Sequence, residues 1–293
     1  MKNIFIALKL SIVNFFDYKI QKKAASLAYY TSFAIAPIFY FIIKLGSIFF
    51  GKEIINGQLF LKLQTFLGFE IAEMLQNILS KTIIEGQSVV ATVVGLGALL
   101  FAATGVFIEM QDSINDIWKV EVNPNNNILS FFKNRLLSFS IVVTMGFLFL
   151  VAMIINSAIE ILLDSINLQL TNFSIIFTTI FNYLVMTFII SVLFFLIFKV
   201  LPDVKYNTKV SFSGAVVTTV LFLLGRFGIG FYLSNSNMNS VFGAAGAFVI
   251  LLSWVYYTSI ILYFGAAYTM NLANTIKCKI TTNDYAKKVK TTK

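Results

Sequence analysis

Residues 241–270, VFGAAGAFVILLSWVYYTSIILYFGAAYTM, contain no charged side chain, and that stretch constrains the fold more than any other. A helix needs roughly 20 apolar residues to cross the ~30 Å hydrocarbon core of a bilayer, so this segment is long enough to span it. Backbone amides in lipid must be satisfied within the segment, which makes it a helix. Near its start Gly243, Ala244, Ala245, Gly246 and Ala247 form a small-residue face, where a second helix backbone can approach without help from a hydrophobic drive that lipid tails do not supply. Of 293 residues 58% are hydrophobic and 12% charged, against about a quarter charged in a soluble domain. The chain reads as an all-α integral membrane protein.

The net charge of +9 comes from 22 Lys+Arg against 13 Asp+Glu. Most of the lysines flank apolar segments, which points to anionic lipid at the cytoplasmic face as the partner rather than nucleic acid. Cys278 is the sole cysteine, so no internal disulfide can form. There is no histidine, which removes the usual neutral-pH general base, the commonest metal ligand and any Ser-His triad. No cofactor-binding glycine pattern and no metal-ligand spacing appears. The reading is therefore not an enzyme, with no cofactor and no metal.

Six crossings are expected, at residues 24–50, 89–110, 136–159, 173–198, 210–233 and 241–271, within a single domain over 1–276. Residues 1–23 read as an interfacial helix, with Phe5, Leu8, Ile12, Phe15 and Phe16 gathered opposite Asn3, Asn14, Asp17 and Gln21. They do not read as a signal peptide, because Lys9, Asn14 and Asp17 interrupt the apolar run. Between residues 51 and 88 apolar positions recur at helical spacing among charges, the pattern of amphipathic helix on the outer surface. Residues 277–293 form a basic cytoplasmic tail. The lysine-bearing segments at 1–23, 119–135, 199–209 and 277–293 then fall on one side. The opposite loops carry Glu160 and Asp164 without lysine, or no charge at all from Ser234 to Ser240. Both termini are thereby placed in the cytoplasm of a multi-pass inner-membrane protein.

Arg226 is the leading candidate for function, since LLGRFGIGFY puts a guanidinium inside the fifth crossing. A central arginine costs roughly 2.5–3.5 kcal/mol on the insertion scale. Two readings stand: a side chain that snorkels toward Glu160 or Asp164, or a contact for an anion in a cavity between helices. Pro37 bends the first crossing, either as a packing kink or as a hinge. At the inner end of the second crossing Glu109, Asp112 and Asp116 share a helix face with Asn115 close by, where Lys22 or Lys23 can pair with them. Together with Gly243 and Gly246 these residues, Arg226, Pro37, Glu109, Asp112 and Asn115, are the candidate substrate pathway.

Four segments, AASLAYYTSFAIAPIF (24–39), GVFIEMQDSINDIWKVE (105–121), LPDVKYNTKVSFSGA (201–215) and VFGAAGAFVILLSWVYYTSIILYFGAAYT (241–269), together resemble the YihY/BrkB family of bacterial inner-membrane proteins, whose members have carried the label ribonuclease BN. The resemblance implies a six-helix bundle with both termini cytoplasmic, and transport is the usual conjecture for the family. Many members have an acidic residue after the Gly-Ala near the end of the last helix, where this chain reads Phe264-Gly265-Ala266-Ala267. The expected function is a small-solute transporter or channel, for a small anionic solute. The alternative is a non-transporting membrane scaffold or envelope-integrity and virulence factor.

Overall fold

The structure is a computed structural model and describes residues 2–50, 89–122, 171–234, 244–283 and 285–289. Among these residues the chain forms α1 (Lys2–Val13), α2 (Ile20–Phe50), α3 (Val89–Ile117), α4 (Thr171–Val200), α5 (Thr208–Ser234) and α6 (Ala244–Thr275). Four short strands accompany them: β1 (Val120–Val122), β2 (Val204–Lys205), β3 (Thr281–Thr282) and β4 (Ala286–Lys288). Windows within α3, α4, α5 and α6 are long and apolar enough to cross a membrane. The crossing expected at 136–159, the amphipathic segment at 51–88 and Gly243 lie outside the described residues.

Apolar helices in lipid have no water to satisfy side-chain hydroxyls, and here several of the hydroxyls turn back on their own helix. Thr31, Ser191, Thr218, Ser259 and Thr269 each donate to the carbonyl four residues earlier, which removes the cost of an unpaired polar group in hydrocarbon.

The helix expected over residues 1–23 is interrupted. α1 stops at Val13, a turn over residues 14–19 follows, and α2 begins at Ile20. Asn14 and Asp17 carry short polar side chains that compete with helical hydrogen bonds, and the turn closes through Phe15 N–H to Ile12 O and Tyr18 N–H to Asn14 O. Lys19 completes it at a φ of 52°.

The ends of α3, α4 and α6 and the start of α5 are set by local chemistry. Pro202, with no N–H to donate, follows α4. Asn207 starts α5 as its N-cap, its side-chain oxygen accepting from Lys209 N–H at 2.9 Å. α6 ends in a Schellman turn, with Cys278 N–H donating to Ala273 O at 2.8 Å and Lys277 left-handed at φ 52°. Lys119 takes the same role after α3 at φ 55°. A lysine there gives up glycine's freedom but sets a cation against the helix's negative end.

The described residues fall into two compact units. One comprises 1–18, 111–224 and 261–293; the other comprises 19–110 and 225–260. The first holds all four strands. β1 pairs antiparallel with β4, with Glu121 opposite Lys287, and β2 pairs antiparallel with β3. Residues 277–293, expected as a basic tail, thus form structure: the described part of the segment pairs with the loops that follow α3 and α4. Lys287 also meets Glu121 at 3.3 Å, an exposed pair that contributes at most about 1 kcal/mol.

Candidate functional site

Asp203 is a buried acidic residue of the first unit held from several sides. It sits in the loop between α4 and α5 with only 3% of its surface exposed. Its carboxylate accepts from Asn115 Nδ2 at 2.7 Å, Gln111 Nε2 at 3.2 Å and Tyr285 Oη at 2.8 Å. Its N–H donates to Asn115 Oδ1 at 2.9 Å, and its carbonyl accepts from Asn283 N–H at 3.1 Å. Among the described residues no lysine or arginine pairs with it. A buried carboxylate without a cation is sustained only by hydrogen-bond donors aimed at it, and here the last turns of α3 and the tail supply them to an acceptor carried by the loop before α5. The arrangement is a junction of three chain segments.

Beside it Tyr206 stacks on Trp118, ring centroids 4.5 Å apart. Its hydroxyl donates to Phe198 O. Burial pushes the phenol above its ordinary pKa, so it remains a neutral donor. Lys199 Nζ lies 5.7 Å above the same ring and donates to Tyr206 O at 3.1 Å.

α5 and α6 cross in the same unit by a reciprocal contact. A Cβ on Gly214 would collide with Thr269 Oγ1, and one on Gly265 would collide with Thr218 Oγ1 and come within 2.7 Å of Phe198 Cζ. Each helix carries glycine and threonine four residues apart, so each glycine receives the other helix's threonine. Ala266 and Ala267, at the place where the family resemblance leads one to expect an acidic residue, are fully buried.

In the second unit α5 and α6 meet where a Cβ on Gly225 would overlap the Tyr257 hydroxyl. Arg226 is the next residue on α5 and is half-buried. Tyr257 stacks on Trp254, with ring centroids 6.3 Å apart. On α3 Gly105 admits Tyr30 of α2, whose ring would lie 3.2 Å from an added Cβ.

Of the candidate pathway residues, Asp112 and Asn115 belong to the first unit and Pro37, Glu109, Arg226 and Gly246 to the second. Asn115 belongs to the Asp203 junction, with the neighbouring Gln111. Asp112 is exposed and Glu109 half-exposed, and both, with Asp116, are engaged by neighbouring groups. Lys23 is buried and also engaged. Pro37 lies within α2 and Gly246 in the first turn of α6. Asp203, Tyr285 and the glycine-threonine pairs were not singled out from the sequence. Among the described residues no three His, Cys, Asp or Glu side chains gather as a metal site.

Comparison with known proteins places the chain among membrane proteins. The family described as Virulence factor BrkB matches residues 11–290. A UPF0761 membrane protein of Saccharophagus degradans is 27% identical over 259 residues, 86% of this chain and 56% of that protein. Its counterpart in Psychrobacter sp. is 26% identical over 274 residues, 90% of this chain and 48% of its own length. One from Alteromonas mediterranea is 23% identical over 267 residues, 87% and 84% respectively. The chain thus spans about half the length of the first two relatives. No solved structure matches it.

Proposed function

The chain belongs to the Virulence factor BrkB family of membrane proteins, and from that premise and the geometry of α5 we propose that it passes a small solute, anionic rather than cationic, across the bilayer. Arg226 carries the reading. It stands inside α5, eight residues before the helix ends at Ser234, or about 12 Å along the axis at 1.5 Å per residue. It follows the glycine that lets Tyr257 touch the backbone. A guanidinium at such depth is costly unless it meets protein, trapped water or a ligand, and its planar fork suits a carboxylate or phosphate-like anion. The absence of histidine from the whole chain weighs against a catalytic role.

Purified protein in liposomes is expected to pass members of a panel of small radiolabelled anions above the rate of empty vesicles. Arg226→Ala should reduce that flux at unchanged protein content, with Arg226→Lys intermediate. Flux indistinguishable from empty vesicles across the panel, from protein that elutes as a single folded species, would transfer the case to the membrane-scaffold reading.

We further propose the bacterial inner membrane with the paired strands on the cytoplasmic side. Three of the lysine-bearing segments meet there, where the tail strands pair with the loops after α3 and α4, and lysine-rich ends are retained inside. In a Cys278→Ser background, a cysteine at the exposed position of Lys279 should escape an impermeant maleimide in intact cells and react after permeabilisation. Labelling in sealed cells would reverse the orientation.

A further inference from the structure

We propose that α1 is a binding element for an anionic lipid surface, fixed so that its hold on the bilayer is transmitted to the end of α6. The inference is independent of solute passage and stands on the two faces of one helix.

The inner face is small and bolted down. Ala7 and Ser11, one turn apart, are fully buried. Ser11 Oγ donates to Ala7 O at 2.8 Å and accepts from Asn271 Nδ2 at 2.9 Å. Asn271, itself buried near the end of α6, accepts through its other amide atom from Tyr18 Oη at 3.1 Å. One amide side chain therefore holds both α1 and the turn that follows it.

The outer face is large and apolar. Phe5 is 70% exposed, Ile12 59% and Val13 65%, and the surface continues through Phe16 of the following turn, 71% exposed. Exposed Lys2 and Lys9 stand among them, with Asp17 as the exposed acid of the same stretch. Twelve residues make a helix of about 18 Å, too short for the ~30 Å core, so the element lies along a surface. Apolar rings with lysines between them match the boundary of acyl chains and anionic headgroups, where stems lie in the apolar layer and ammonium groups reach phosphate. Charge also selects against a second copy as the occupant, since a two-fold pairing of this face would bring lysines together.

The test uses the full chain in nanodiscs of phosphatidylcholine with and without phosphatidylglycerol. Nitroxides are placed at Phe5→Cys, Ile12→Cys and Phe16→Cys in the Cys278→Ser background, with Lys205→Cys at the exposed end of β2 as the aqueous reference. The labels at residues 5, 12 and 16 should collide with oxygen and be shielded from a water-soluble nickel chelate, and Lys205→Cys should do the reverse. Phosphatidylglycerol should raise the melting temperature of the parent protein, and Lys2→Gln with Lys9→Gln should lose most of that shift. Asn271→Ala should lose it too, while the same labels stay shielded, because the lipid contact persists without its link to α6. Nickel accessibility at residues 5, 12 and 16 equal to that of Lys205→Cys would overturn the proposal. So would quantitative cross-linking between copies at Phe16→Cys.

Discussion

Gly265→Leu is expected to abolish recovery of folded protein, the largest effect of any single substitution considered. Even a methyl group at 265 meets Thr218 Oγ1 and Phe198 Cζ, and neither can withdraw. The threonine hydroxyl is bonded to Gly214 O at 2.7 Å, and Phe198 is buried. In lipid the association of α5 and α6 rests on close backbone approach, so a wedge at the crossing removes the contact itself. Gly265→Ala should cost about 1–3 kcal/mol, the usual range for overpacking. Gly97 and Gly228 have nothing within 4 Å of an added Cβ, so alanine there should be neutral or slightly stabilising. The measurement is thermal denaturation followed by size-exclusion fluorescence. Gly214→Ala combined with Thr269→Ala should lose less than the two single changes sum to, since Thr269 Oγ1 is the atom in the way. Equal melting temperatures for Gly265→Ala and Gly97→Ala would refute the reciprocal crossing.

Asp203→Ala is expected to destabilise the first unit by about 2–5 kcal/mol. The substitution removes one carboxylate but leaves Asn115, Gln111 and Tyr285 with donors directed at an empty position, and each orphaned buried donor costs about 1–3 kcal/mol. Tyr285→Phe deletes one donor while the acceptor keeps two others, so a loss of about 1 kcal/mol is expected. The contrast matters because it separates a junction held by the acceptor from a tail held only by its strands. Amide exchange of residues 281–289 should rise steeply in Asp203→Ala and modestly in Tyr285→Phe. Unchanged exchange in Asp203→Ala would show that the strand pairing alone secures the tail.

The sequence revealed these features unevenly, and physical range explains why. A long uncharged run announces itself locally, so the segments expected at 173–198, 210–233 and 241–271 coincide closely with α4, α5 and α6. Arg226 stood out for the same reason, as a charge where the composition forbids one. Asp203 gave no such signal: after a proline, in a polar loop, it looks like any turn residue. Its partners Asn115 and Tyr285 lie 88 and 82 positions away, and no periodicity encodes that meeting. The glycine-threonine pairs were visible as spacing of four, but small residues at that spacing are common in membrane helices. The expected packing face at 243–247 drew attention away from Gly265. The break at residues 14–19 was written in Asn14 and Asp17, yet amphipathic continuity across Phe15 and Phe16 concealed it.

The amide of Asn271 has a consequence for how the molecule is made. Its partners Ser11 and Tyr18 precede it by 260 and 253 positions, so a growing chain inserts its earlier helices before the residue that fastens α1 exists. Closing so wide a loop adds little entropy for each further residue, but contacts this distant in sequence form late. The first unit is therefore completed after translation of α6 rather than during it, and until then the buried face of α1 is open to whatever membrane partner or chaperone reaches it first.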